Sequence, residues 1–135
     1  MPYFLKDSVM TYYETILFSI IGDFCRKYNF VLLSKVRLAD FIQPLNIPNR
    51  KDYYHWFNRI SAKHVDFLVC DPKTIKPLCA IELDDYTHRY KNRQERDEFV
   101  DNVYKSIKLP ILHIYEVREK YVYQELAEAL NIQPD

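Results

Sequence analysis

A chain of 135 residues that is 48% hydrophobic, 28% charged and 16% aromatic has the size and composition of one globular domain and excludes a disordered segment. Nineteen basic residues balance nineteen acidic ones, which excludes a protein that coats nucleic acid through bulk charge. A single glycine excludes a Gly-rich phosphate loop, and three cysteines without a CxxC exclude a disulfide framework or a zinc knuckle.

Tyr13, Ile16, Leu17, Ile20, Ile21, Phe24 and Tyr28 recur at helical spacing and predict a helix over 8–28. Thr11 and Glu14 have the spacing of a capping box, with Asp7 and Ser8 as rival caps. Glu14 falls at the edge of the apolar stripe, from where it can look into a neighbouring cleft. The longest apolar run, Ile16 to Ile21, is cut by Gly22-Asp23 and is too short to span a bilayer. No cleavable signal precedes it, so the expected compartment is the reducing cytoplasm, with no membrane partner.

FVLLSKVR (30–37) predicts a strand, and Pro44 and Pro48 make 40–50 loop-like. Residues 51–62 fit either a short helix or an irregular segment. KHVDFLVCDP (63–72) and IKPLCAIELD (75–84) are apolar runs joined by Asp71-Pro72-Lys73-Thr74, the pattern of a β-hairpin. A second helix is predicted over 92–107, with Phe99, Val100, Val103 and Tyr104 on one side. PILHIY (110–115) predicts a buried strand and 121–130 a last helix. The expected fold is a single α/β domain, a central mixed β-sheet flanked by helices.

Acids gather where the hairpin should be apolar. Alternation puts Glu82 and Asp84 on one face of their strand and Ile81 and Leu83 on the other. In the preceding strand it puts Val65, Phe67 and Val69 together and Asp66 opposite them. With the turn centred near Thr74, Asp66 faces Glu82, and Cβ atoms of directly opposed residues lie roughly 5 Å apart. Three carboxylates, Asp66, Glu82 and Asp84, then converge, with Asp85 and His88 just beyond. Like charges so close repel, and Mg²⁺, which takes a few carboxylates and keeps several waters, would relieve them. Acids at strand ends can equally be solvated, so spacing alone leaves the metal site open.

Basic residues flank these acids. Residues 50–64 carry Arg50, Lys51, Arg59 and Lys63 against Asp52, and residues 86–96 carry Arg89, Lys91, Arg93 and Arg96 against Glu95. Arg37, Arg59, Arg89, Lys91 and Arg93 are candidates for phosphate contacts, which position a nucleic acid without reading it. Gln94, Asp97 and Asp101 share a helix face that could meet the cleft, with Gln94 touching phosphate, or could simply be solvated. Tyr53, Tyr54, Trp56 and Phe57 beside cations suit stacking on unpaired bases, and suit a satellite core as well. His55 and His64 read as ordinary surface histidines, and Cys25, Cys70 and Cys79 as free thiols.

The runs FNRISAKHVDFLVCDPKTIKPLCAIELDD, NRQERDEFVD and LPIL resemble a bacterial family catalogued as domain of unknown function 2726. That family is similar to the restriction-endonuclease-like superfamily with the PD-(D/E)XK signature. The E-x-D…H pattern before a charged helix also resembles very-short-patch repair endonucleases. The resemblance covers about residues 8–126. It implies a Mg²⁺-dependent (or Mn²⁺-dependent) endonuclease acting on DNA, with Asp66 on the second core strand and Glu82 on the third as metal ligands. Glu14 matches the glutamate that many members carry on the first helix. The superfamily's lysine two positions after the acid is here Asp84, which could be a third ligand. Lys63 or His88 would then supply the cationic role, or His88 a general base. An alternative is a nuclease fold without catalysis, retained to bind DNA or a partner.

Overall fold

The computed structural model describes residues 1–45, 47–84 and 91–133, and for 91–97 the backbone alone. Helix α1 (Tyr12–Tyr28) begins at Thr11, whose hydroxyl accepts the Glu14 N–H at 3.2 Å while Glu14 Oε1 accepts the Thr11 N–H at 3.1 Å. The expected capping box is therefore present, and 8–11 lie outside the helix. Asn29, at φ 62°, closes α1 in the left-handed conformation that asparagine tolerates at helix ends.

Strand β1 (Val31–Arg37) leads through a single 3₁₀ turn (Leu38–Asp40) to helix α2 (Arg50–Ile60), which Asn49 caps. The ambiguous 51–62 segment is thus helical, with Ile60 its only buried residue. Strands β2 (His64–Cys70) and β3 (Pro77–Leu83) form the expected hairpin. Its turn is held by Asp71, whose carboxylate accepts the N–H groups of Lys73 and Thr74 at 2.9 and 2.8 Å. Helix α3 (Lys91–Ser106), strand β4 (Ile111–Ile114) and helix α4 (Glu119–Ala129) complete the chain.

The sheet order is β1-β2-β3-β4, with the first two pairings antiparallel and β3–β4 parallel. The mixed α/β architecture is as expected. On one side, Leu17, Ile21 and Phe24 of α1 and Val122 and Leu126 of α4 pack on Phe67, Val69, Cys79, Ile81 and Ile114. On the other side, Leu38, Ile42, Ile60 and Tyr104 pack on Val65, Leu68, Cys70 and Ala80. The three cysteines are free and buried. Burial pushes the Cys25 thiol up to about 11 and the Cys79 thiol up to about 12, so neither is a nucleophile at neutral pH. Among the described residues no helix is long and apolar enough to cross a membrane.

The expected alternation fails at one level. Val65 packs with the second cluster and Phe67 and Val69 with the first, so β2 changes faces at Asp66. Its neighbour β1 does the same: Leu33 and Val36 both lie against the second cluster, although three residues apart they should oppose each other. The ladder pairs Ser34 with Phe67 and Val36 with Val65 and skips the pair between, Lys35 and Asp66. Lys35 has φ 55°, a left-handed backbone that is uncommon for a residue with a Cβ. Both strands therefore kink where the candidate site begins.

Replacing Thr11 by Ala removes the hydroxyl of the box and should cost about 1 kcal/mol in urea unfolding. A variant as stable as the parent would show that the box does not anchor α1.

Candidate metal centre

Four strands bring polar side chains to one end of the sheet. Lys35 lies late in β1, Asp66 early in β2, Glu82 late in β3 and His113 late in β4. Helix α1 contributes Glu14 from one layer, and α3 contributes Asp101 and Tyr104 from the other. All of these side chains but Tyr104 border an open cleft of about 980 Å³, which also meets Ala62, Lys63 and His64.

Asp66 and Glu82 come together as the register predicts. Phe67 pairs with Ile81 and Val69 with Cys79, so Asp66 and Glu82 are next in line, where the hairpin forks. The Asp66 carboxylate takes the place of a ladder carbonyl there, since its Oδ2 accepts the Leu83 N–H at 2.9 Å. Burial, then the charge and hydrogen bond of Asp66, then Asp84 push Glu82 far above the ordinary carboxylate range, with His113 opposing. Glu82 therefore keeps its proton near neutral pH and hydrogen-bonds to Asp66.

Glu14 is only 7% exposed. Its Oε2 accepts the Lys35 ammonium at 2.6 Å, and the same ammonium stands 4.0 Å from Asp66 Oδ1. Burial alone would raise the Glu14 carboxyl, but Lys35 and the contacts to Thr11 outweigh it and hold the group below its ordinary value. Lys35 is the link that the sequence reading missed. Its only signal was a lysine inside an otherwise apolar strand.

Asp84 turns to the other layer. Its Oδ2 lies 2.8 Å from His113 Nδ1, a contact off the N–H direction, while His113 Nε2 meets Asp101 Oδ1 at 2.9 Å. Asp84 first, and Asp101 after it, push the imidazole up to about 9 against the opposing effect of burial. His113 was also missed, although a histidine in PILHIY interrupts an apolar strand. Asp101, earlier balanced between cleft and solvent, faces the cleft. The Tyr104 hydroxyl is buried with no hydrogen-bond partner among the described residues. Burial, then Glu82, Asp101 and Asp66, raise its pKa.

The other predicted residues separate into groups. Lys63 borders the cleft, but its ammonium donates to the Arg59 carbonyl at 2.6 Å and pairs with no acid among the described residues. Arg37 pairs with Asp40 at 2.9 Å. The Arg59 guanidinium rests on Phe99, 3.9 Å from the ring centre, and lies 5.3 Å from that of Trp56. Asp85, His88 and Arg89 lie outside the described residues, as do the side chains of Lys91, Arg93, Gln94 and Asp97.

A hard cation suits part of this set. Asp66 and Glu82 offer two oxygen-donor groups on rigid strands, and the proton that Glu82 keeps marks a place where a positive charge is wanted. Mg²⁺ can be held by one or two carboxylates with waters completing its shell. Among the described residues no group of three or more His, Cys, Asp or Glu side chains is gathered to hold a metal ion. The fit is thus to a two-carboxylate site, with Asp84 engaged by His113 and Glu14 by Lys35.

No curated protein and no solved structure matches the chain. A family described as protein of unknown function (DUF2726) matches residues 6–133, nearly the whole length. The chain belongs to that family.

Proposed function

We propose that the protein is a metal-dependent nuclease that hydrolyses phosphodiester bonds of DNA, built on a restriction-endonuclease-like core. The observation that carries this is the pairing of half-buried Asp66 and Glu82 on adjacent strands in an open cleft. The superfamily resemblance asks for an acid on the second strand, an acid on the third and a glutamate on the first helix. Asp66, Glu82 and Glu14 occupy those three elements and meet within one cluster.

Asp66 and Glu82 would hold Mg²⁺ or Mn²⁺, which supplies Lewis acidity toward a phosphodiester and a water of lowered pKa. Glu82 gives up its proton when a divalent cation is held. Leu83 N–H fixes Asp66 from behind, so the carboxylate keeps its aim. Lys35 brings to the same place the positive charge that the residue at position 84 lacks. It can steady a negative phosphoryl oxygen as charge builds there. Lys63, on the cleft wall, is placed to contact the phosphate backbone.

A second reading rests on Lys35 too. Its ammonium already neutralises Glu14 and approaches Asp66, and Asp84 stands where the superfamily has lysine. On that reading the fold binds DNA or a partner without cutting.

Incubation with supercoiled plasmid and with gapped or branched DNA in Mg²⁺ or Mn²⁺ tests both. Cleavage is expected, and it should fall to background in Asp66→Asn and in Glu82→Gln. Cleavage that survives both substitutions sinks the nuclease. DNA binding without cleavage, and without any effect of metal on thermal unfolding, favours the second reading.

Two further outcomes separate the roles. Glu82→Gln replaces a protonated carboxyl by a near-isosteric amide, so the metal-free variant should unfold within about 1 kcal/mol of the parent. Millimolar Mn²⁺ should raise the melting temperature of the parent and leave that of Glu82→Gln unmoved. Lys35→Met should keep the Mn²⁺-induced rise but lose about 100-fold or more in cleavage rate, as expected of a group acting on developing charge.

A further inference from the structure

Behind the cleft, α2 and α3 form a second cavity that the proposed hydrolysis does not use. It is a groove of about 270 Å³ between Ile42, Trp56, Ile60 and Phe99, with the amides of Gln43 and Asn102 at its border. Pockets for drug-sized ligands run to about 300–1,000 Å³, so this one suits a single flat ring system and not a duplex. It shares two walls with the cleft. Along α3, Val100 and Asp101 face the cleft, while Phe99, Asn102 and Val103 face the groove. Where α2 runs into β2, Trp56 and Ile60 face the groove, while Ala62, Lys63 and His64 face the cleft.

Its surroundings are cationic and aromatic together. Trp56 is 45% exposed although it is the largest side chain on α2. Arg59 lies between two rings, with its guanidinium near both Trp56 and Phe99, and Lys63 stands 5.5 Å from the Phe99 ring centre. Arg26, Arg37 and Arg118 each pair with a nearby carboxylate. Among the described residues no carboxylate pairs with Arg50, Lys51, Arg59 or Lys63. Arg59 and Lys63 therefore bring unpaired positive charge to the rings beside this groove. Exposed lysines are depleted in the cores of protein interfaces, whereas aromatic rings with interleaved cations suit single-stranded nucleic acid.

We propose that this groove receives an unpaired nucleobase of the DNA strand whose backbone lies at the Asp66–Glu82 fork, so that the substrate class is DNA with single-stranded or distorted segments. The proposal rests on the nuclease reading for the position of the backbone. The base stacks on the exposed Trp56 ring against the Phe99 wall of the groove, Arg59 and Lys63 take the flanking phosphates, and Gln43 and Asn102 meet the base edge. A fully paired duplex cannot use the groove without extruding a base.

Trp56 is the only tryptophan in the chain, so its emission reports the groove directly. In metal-free buffer, a thymidine 12-mer should quench Trp56 saturably, and a 12-base-pair duplex should not. By anisotropy of labelled DNA, Trp56→Ala should lose about tenfold in affinity for the 12-mer and Trp56→Phe about threefold or less, in the range of single stacking contacts. Both should bind the duplex like the parent, and circular dichroism should match for all three. Phe99→Leu should repeat the selective loss. Equal quenching by duplex, or undiminished 12-mer binding by Trp56→Ala, overturns the proposal. So does emission that changes with protein concentration alone, which would mean that an apolar segment of a second copy, such as the exposed Tyr3-Phe4-Leu5, fills the groove. Quenching by the 12-mer without cleavage of any DNA sinks the nuclease and leaves the groove standing. Cleavage without quenching does the reverse.

Discussion

Two acidic side chains, Asp66 and Glu82, lie half-buried against each other where two strands part, and the neighbouring residues are arranged around that repulsion. Water is largely withdrawn from Glu82, so its charge is disfavoured twice, by burial and by Asp66. Each neighbour reduces the penalty in a different way. The Leu83 N–H donates to Asp66 in place of a missing ladder bond. Lys35 brings an ammonium from β1, and Glu14 holds that ammonium in turn. His113, clamped by Asp84 and Asp101, adds a positive ring on the far side of Glu82. Buried polar groups kept under such tension are the sort of feature found where a protein has chemistry to perform.

The kink in the sheet serves the same centre. If β1 and β2 alternated faces throughout, Val36 would share a face with Leu32, and Val65 with Phe67 and Val69. Instead both strands change faces at the level of Lys35 and Asp66. Val65 and Val36 then close the second core beside Leu38, and the first core is closed by Phe67 and α1. The break between the two packings leaves Lys35 and Asp66 outside both. A left-handed lysine costs about 1–3 kcal/mol, and it persists because packing on either side leaves the backbone no other path.

Much of this was legible in the sequence, and what was not has a physical explanation. The helix period placed α1, the Thr11–Glu14 spacing offered its cap beside Asp7 and Ser8, and a hairpin centred near Thr74 matches the pairing from Val69–Cys79 to Phe67–Ile81, although the register shifts at Cys70. The Asp66–Glu82 pairing came from that counting alone. The face change did not, because a positive φ at lysine leaves no mark in a sequence where glycine would have announced it. Lys35 and Glu14 are 21 positions apart and meet only through the packing of α1 on β1. His113 stayed hidden because one histidine in an apolar strand reads the same whether it is a core residue or a clamp between acids. For Asp101, the helical wheel gave a face but not what lay opposite.

Position 84 brings these threads together. A lysine there would reach Asp66 and Glu82 from β3 itself, two residues beyond Glu82 on the same face. Aspartate in its place adds negative charge to a cluster that already has too much. Two compensations answer it, and they come from opposite edges of the sheet. Asp84 is drawn away by His113, which β4 places beside Glu82 in the parallel register. Lys35 then comes from β1, where the kink at φ 55° lets its ammonium stand near Asp66. A positive charge acts from wherever its ammonium stands, whatever strand carries it, and a four-carbon stem can reach across one strand spacing. On the proposed superfamily relationship, the aspartate at position 84 is matched by a lysine at position 35, in the same cleft and near Asp66. Under the proposed chemistry the pair of changes relocates the cation and keeps it. Without chemistry, the same pair would be an inert ion-pair network, yet it would still need a left-handed backbone at Lys35 and a protonated Glu82 to hold it.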